Sequence, residues 1–438
     1  MPTPSLILVP ARFKTGKLYT PLATTSGGTV LGASGDFTVT RATSATRVNA
    51  SGLIESVASG IPRLDYYTSG GTAGCPALLV EPAATNLARW VNQMTAQDTP
   101  AASGGMTVTT GSTDFLAPDG TSGSITKYVG GAASGTSQYA YYTGGQVTAS
   151  ASGVHTFSLF VKRGATNPLN FCALGIGNYD GGSGTTYSYF NLASGTALTA
   201  GASVQDYGNG WYRLTTAPYT LAAGDLNGTL LFFMAEGNGD RSWPASGALN
   251  LTAYTWGAQF EAGSIATSYI PTTTGSVTRN AEVISVSGAV SGSIGQTEGT
   301  LYAEVDFRSF ASSLQRRIIS LRVDGSNVFS LETNTAGNQF DFVAISGGVS
   351  VTASASGITT GVYKIAVGYN SATNGTALYV NGTLRDTKTI AIPNLSAVVF
   401  GLGVRADGAA GTQLNDRIRA VALYTTRLTN AQLAALTT

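Results

Sequence analysis

Apolar residues along this chain come in short runs that alternate with polar positions, broken by glycine, asparagine, aspartate, serine and proline. That rhythm predicts strands almost throughout. Between 36 and 55, the alternation around Phe37 and Val39 and the turn at Ser51 and Gly52 predict paired strands. The segments 61–66 and 75–87 carry prolines, which confine their strands to edges or ends. From 90 to 285, strand candidates recur at regular spacing (124–129, 138–142, 155–161, 169–176, 187–192, 204–207, 211–215, 230–235 and 249–260), the pattern of an antiparallel sandwich or jelly roll. Beyond 286 the rhythm resumes at 300–307, 318–323, 328–332, 339–345, 362–369, 376–380, 383–387 and 397–404. The pairs Asp119-Gly120, Asn209-Gly210, Asn227-Gly228 and Asn381-Gly382 supply the positive φ angles that tight hairpins require. The chain ends in an extended segment, 418–424, and then a short helix that Thr429 caps and Leu428, Leu433 and Leu436 give an apolar stripe.

The fold class expected from this pattern is all-β, an N-terminal strand-rich module followed by two antiparallel β-sandwich (jelly-roll) domains. The leading block 1–89 reads as an attachment module, and a polar link at 272–280 with a loose stretch at 290–295 places a boundary near 286, dividing 90–285, a jelly roll, from 286–438, a second sandwich.

Composition narrows the class. With 438 residues, 56 of them glycine, only 11% charged and 43% hydrophobic, the chain reads as a large folded protein. No apolar run approaches the roughly 20 residues a spanning helix needs, so membrane insertion is not expected. A formal net charge of +1 offers no basic field to a phosphate backbone, and nucleic acid is not expected as a ligand. Cys75 and Cys172 fall in different expected domains and read as two small buried hydrophobes rather than a bridge. The first ten residues hold an apolar core shorter than a signal sequence needs, with positive charges after it instead of before it. Export by a secretory signal is therefore not expected, and release by lysis within a virus particle fits better.

Two groups of motifs carry resemblances. In the first fifth of the chain, Thr40 to Asn49, Gly52 to Glu55, Pro62 to Tyr66 and Leu78 to Leu87 form an ordered series similar to the leading segment of tailed-bacteriophage structural proteins, including tail-fibre and head-fibre components. Gly210 to Arg213, Tyr254 to Ser264 and Ala266 to Thr272 resemble recurring motifs of carbohydrate-binding-like jelly rolls in phage proteins. The final strand and helix, with the Asn381-Gly382 hairpin, resemble laminin-G-like and other concanavalin-like domains. These resemblances imply a virion protein, on tail or head, joined to other virion proteins through its N-terminal module and displaying sandwiches that bind a host cell-surface glycan.

Catalytic sets are sparse. The single histidine, His155, lies within a strand and reads as a histidine at a loop edge, not part of a catalytic set. Glu304 and Asp306 share a strand face by period-two spacing, as in laminarinase-like glycosidases, but the second glutamate of that run is missing. They read as two solvated residues on an outward face. Calcium is the one cofactor worth considering: Asp180, Glu236, Asp240 and Asp324 sit on glycine-rich turns, yet none follows the spacing of a recognised loop, and turn chemistry explains each.

Aromatic residues remain. Tyr139, Tyr141, Tyr142, Tyr179, Tyr187, Tyr189, Trp211 and Trp243 could stack on sugars, while Trp211 and Trp256 read as core. The chosen glycan contacts are Trp243, followed by Pro244 in a loop, and Tyr187 with Tyr189, which alternate on one face. The expected function is attachment rather than catalysis, with a polysaccharide-degrading tailspike or a cellular adhesin as alternatives. A shallow sugar site of millimolar affinity contributes only about 4 kcal/mol, so a homo-oligomer, a trimer for a fibre, is expected to raise the apparent affinity.

Overall fold

The computed structural model describes residues 2–11, 13–19, 36–70, 74–89, 100–103, 105–131, 137–142, 147–148, 152–177, 179–225, 227–242, 250–287, 289–308 and 315–438. Its strands build two sandwiches, and every pairing between named strands is antiparallel.

One sandwich stacks two seven-stranded sheets drawn from 100–262. The first runs Pro100–Ser103, Gln138–Tyr142, Asn227–Ala235, Phe171–Gly177, Thr186–Asn191, Thr196–Ala197, with Val147–Thr148 beside Asn227–Ala235. The second runs Thr107–Ser112, Ile125–Val129, Thr252–Ala262, Gly153–Arg163, Trp211–Thr215, Ser203–Asp206, with Tyr219–Leu221 beside Gly153–Arg163. Alternate residues meet between the sheets: Cys172, Leu174, Ile176 and Phe232 of one share a buried cluster with Phe157, Trp211 and Trp256 of the other. Burying a side chain of this size stabilises by about 1.5–3 kcal/mol, and the aromatic rings add edge contacts such as Phe160 on Trp256 at 5.3 Å.

The other sandwich draws on both ends of the chain. Its nine-stranded sheet starts with Phe13–Lys14, Lys17–Leu18 and Phe37–Thr40, then continues through Val283–Ser287 and Val399–Leu402 to Arg317–Arg322, Asn327–Thr333, Gln339–Ser346 and Val349–Ser356. Its eight-stranded sheet runs from Thr383–Lys388 through Thr376–Val380, Gly361–Asn370, Glu298–Phe307 and Asp416–Tyr424 to Ala77–Val80 and Arg63–Asp65, with Leu6–Leu8 also on Asp416–Tyr424. The expectation of a separate module over 1–89 is therefore corrected. Leu6, Leu8, Phe37, Leu78 and Val80 are fully buried in the same core as Phe329, Phe400 and Leu423. The physical reason is that the strand Asp416–Tyr424 and the strand Val283–Ser287 would otherwise present open edges, and the N-terminal strands close them.

Turn chemistry matches the expectation at two pairs. Asn209 and Gly210 sit at φ 51° and 76°, Asn381 and Gly382 at φ 46° and 77°. The pair Asn227-Gly228 differs: it lies inside the strand Asn227–Ala235, not in a turn. Gly228 is needed there for space, since a Cβ would come within 2.3 Å of the Tyr179 ring.

The C-terminal helix Asn430–Thr437 opens on a capping box. The Thr429 hydroxyl accepts from the Gln432 backbone, and the Gln432 side chain accepts from the Thr429 N–H at 2.9 Å. Leu428 and Leu433 are buried against Tyr302, Tyr379 and Tyr424 on the outer side of the eight-stranded sheet. No helix among the described residues is long and apolar enough to cross a membrane.

Candidate functional site

The outer face of the sheet Pro100–Ser103 to Thr196–Ala197 sets a row across four strands, three of which place aromatic residues in register. Along Phe171–Gly177 the odd positions turn away from the core, and three of them, Ala173, Gly175 and Gly177, carry almost no side chain. Ala173 pairs with Phe233 on one side and Tyr189 on the other, and Phe233 pairs in turn with Tyr139. Gly175 likewise lies between Leu231 and Tyr187.

These small central residues let the neighbours lean inward. A Cβ on Gly175 would stand 3.0 Å from the Leu231 Cδ1 and 3.1 Å from the Tyr187 Cδ1, so close that these neighbours would have to shift. Phe233 and Ala173 are buried as the floor, while Tyr139, Tyr187 and Tyr189 remain half-buried around it. The rings touch: Tyr139 lies 4.7 Å from Phe233 at an interplanar angle of 31°, and Tyr187 meets Phe233 edge-on at 5.4 Å.

Arg241 completes the face. Its guanidinium carbon sits 3.6 Å from the Tyr187 ring centroid and 5.1 Å from that of Phe233, and its Nε donates to the Tyr189 hydroxyl at 3.2 Å. Tyr187 and Tyr189 thus share a face, as their spacing requires, with one ring already carrying a cation. Trp243, the third chosen contact, lies outside the described residues. Sequence reasoning missed Phe233 and Arg241, because register between distant strands cannot be read from local pattern; the only available signal was an arginine closing the glycine-rich turn 236–240.

The motif series in the first fifth of the chain has a different role. Arg41, Arg63 and Glu81 converge with Arg279 and Glu282 in a buried ionic cluster where the two sandwiches meet. Glu282 takes Arg63 in a two-point pair at 2.7 Å through each oxygen and Arg41 at 3.0 Å, with all three side chains fully buried. Glu81 holds Arg63 at 2.7 Å and Arg279 at 2.8 Å, and accepts from the Ser268 backbone and hydroxyl at 2.7 and 2.6 Å. Burial by itself would raise the Glu81 carboxyl, but Arg279 and Arg63 outweigh it and hold it well below the usual carboxylate range. Burial also opposes the charge on Arg63, and Glu282 and Glu81 reverse that and hold the guanidinium protonated. Beside the cluster lies a cavity of about 340 Å³, bordered by Asp65, Glu81, Arg213, Asp416 and Arg417.

The catalytic candidates are occupied. Asp306 is 7% exposed and forms a two-point pair with Arg308 at 2.8 and 2.7 Å, while Glu304 faces Arg419 at 3.3 Å. The expectation of two solvated residues is corrected at Asp306, where the outward side of the strand is covered by Arg308 and by residues of the other sandwich that border the same cleft, while Glu304 stays partly exposed. His155 lies near the start of the strand Gly153–Arg163, as expected, but is buried there. It is 1% exposed, stacks on Phe260 at 5.1 Å and places Nδ1 2.9 Å from the Gly153 carbonyl, and burial lowers its pKa. Cys172 is buried as expected, but Cys75 is exposed.

The acidic turn residues are engaged by backbone N–H groups, within the turn at Asp240 and Asp324 and across to a neighbouring strand at Asp180. Asp180 accepts from the Asn227 backbone at 3.1 Å, Asp240 from that of Ser242 at 2.9 Å and Asp324 from that of Ser326 at 2.7 Å. Among the described residues no group of three or more His, Cys, Asp or Glu side chains could hold a metal ion.

Among curated proteins, none is significantly similar to this chain. Several solved structures resemble part of it. The CBM40 module of the Ruminococcus gnavus IT-sialidase is 18% identical over 34% of this chain and 88% of that one, with a TM-score of 0.30. The leech intramolecular trans-sialidase is 16% identical over 33% of this chain and 23% of that one, at 0.28. The binding domain of botulinum neurotoxin DC is 14% identical over 36% of this chain and 40% of that one, at 0.28. This chain therefore spans less than half of the last two. Over residues 280–434, which supply most strands of the second sandwich, the sequence matches the Laminin_G_3 family model, described as the concanavalin A-like lectin/glucanases superfamily.

Proposed function

We propose that this protein attaches a bacteriophage virion to its host by binding a cell-surface glycan, as a tail fibre, spike or head decoration, and that it carries out no catalysis. The observation that carries the binding reading is the row Tyr139, Phe233, Ala173, Tyr189, flanked by Tyr187: half-buried tyrosines in register over a buried floor of Phe233 and Ala173. Flat apolar rings of this kind suit the C–H faces of a pyranose. The match of 280–434, in the other sandwich, to the concanavalin A-like lectin/glucanases superfamily supports a glycan ligand for the protein without locating it. The virion role rests on the motif series in the first fifth of the chain.

In this reading the fused sandwiches act as one rigid head, because the buried cluster around Glu282 and Glu81 ties residues from three parts of the chain together. Several copies, three in a fibre, multiply a weak single-site affinity by about a hundredfold to ten-thousandfold.

Two measurements test it. The purified chain is expected to bind bacterial polysaccharides on an array, and the double variant Tyr187→Ala with Tyr189→Ala to lose that binding without losing its folded circular-dichroism spectrum. Antibody labelling of purified phage particles is expected to mark the particle surface. Absence of the protein from particles would overturn the virion role, and release of sugar from a bound polysaccharide would overturn the non-catalytic reading.

A further inference from the structure

We infer that the glycan bound at the aromatic face carries a carboxylate and that Arg241 is the residue that reads it; this rests on the assignment of that face as the binding surface. Most arginines in the structure already have an acid. Arg41, Arg63, Arg279, Arg308, Arg317 and Arg417, for example, each lie within 3.0 Å of a carboxylate oxygen. Of those without one, Arg213, Arg385 and Arg427 give their N–H groups to backbone carbonyls.

Arg241 does neither among the described residues. Its hydrogen bond is from Nε to the Tyr189 hydroxyl, and its plane is held over Tyr187. No acid is supplied by the next residues either, since 243–249 read Trp, Pro, Ala, Ser, Gly, Ala, Leu. The neighbouring Asp240 is engaged by the Ser242 backbone and hydroxyl.

A half-buried guanidinium on a face whose other members are Tyr139, Leu231, Phe233, Tyr187 and Tyr189 is a costly arrangement unless something balances it. The ring below and the tether at Nε fix the fork before any ligand arrives, which leaves both Nη groups to meet an anion. A planar carboxylate matches that fork with two parallel hydrogen bonds. A single cation among aromatic rings suits a monoanion whose sugar ring stacks alongside, such as a hexuronic acid or another carboxylated sugar. Polyphosphate or polysulfate chains would need a broad basic field, and the net charge of +1 supplies none.

The test uses the full chain and a panel of immobilised bacterial capsular polysaccharides containing carboxylated sugars, each beside its own carboxyl-reduced form. Wild type is expected to bind at least one native polymer roughly 10–100-fold more tightly than its reduced partner, the factor a charge-assisted hydrogen bond contributes. Arg241→Gln should erase that difference, and Arg241→Lys should keep part of it, because charge is retained and the fork is lost. Equal binding of native and reduced polymers by wild type would overturn the role of Arg241 and leave the aromatic face standing as a neutral-sugar site. Binding to neither form of any polymer would overturn both. Thermal melting of each variant reports folding; should Arg241→Gln fail to fold, the wild-type comparison and Arg241→Lys still decide.

Discussion

Gly175 and Glu282 show how single positions divide the labour in this molecule. At Gly175 the absence of a side chain is the feature: replacing it with valine forces Leu231 or Tyr187 out of place, since even a Cβ would stand 3.0 Å from one and 3.1 Å from the other. Gly175→Val is expected to lower stability by about 1–3 kcal/mol through overpacking and to abolish glycan binding, read by chemical denaturation and by array. At Glu282 one carboxylate serves two fully buried guanidinia. Glu282→Ala leaves Arg41 without an acid and is expected to cost about 3–5 kcal/mol, measured by urea unfolding.

Glu81 adds a pH signature. Its folded pKa lies below its ordinary value of 4.5, so the unfolded chain binds the proton more readily and the ion pair's contribution is fully present above about pH 4.5. That contribution fades as the pH falls through the depressed value. Unfolding free energy should therefore drop on acidification below pH 4.5, and Glu81→Gln should make that portion of the curve shallower.

Among the elements, the C-terminal helix Asn430–Thr437 is the one whose logic is entirely local at its start and entirely tertiary along its length. Its capping box joins Thr429 and Gln432, and Thr429→Ala is expected to cost about 1 kcal/mol, visible as a lowered melting temperature. Eight residues are too few to hold a helix alone in water. Burial of Leu433 against Tyr302, Tyr379 and Ala366 supplies the rest. The strand Asp416–Tyr424 is held in the same way, by Glu298–Phe307 on one side and by Leu6–Leu8 and Ala77–Val80 on the other.

For the molecule as a whole, the consequence of that pairing is that the second sandwich is not contiguous in sequence. A fragment spanning 281–438 would expose the edges that Phe37–Thr40, Leu6–Leu8 and Ala77–Val80 cover, together with the core surface facing Phe37, Leu78 and Val80. Expressed alone it is expected to aggregate. Co-expression of 1–89 with 90–438 is expected to restore a soluble complex, tested by co-purification through a tag on the shorter piece.

Much of this architecture was legible in the chain. Period-two alternation located the strands, Asn-Gly pairs at 209–210 and 381–382 located two hairpins, and Tyr187 and Tyr189 were bound to share a face, because all three follow from backbone geometry within a few residues. What lay beyond the sequence was every relation between distant segments. The register that lines Tyr139 and Phe233 up with Tyr189 depends on which strands pair. The approach of Arg241 to Tyr187, the burial of His155 and the meeting of Arg41, Arg63, Glu81, Arg279 and Glu282 in one cluster do so too. Local dihedral preference sets the elements, whereas the need to close sheet edges and to pair buried charge selects their partners, and only the packed chain answers that second demand.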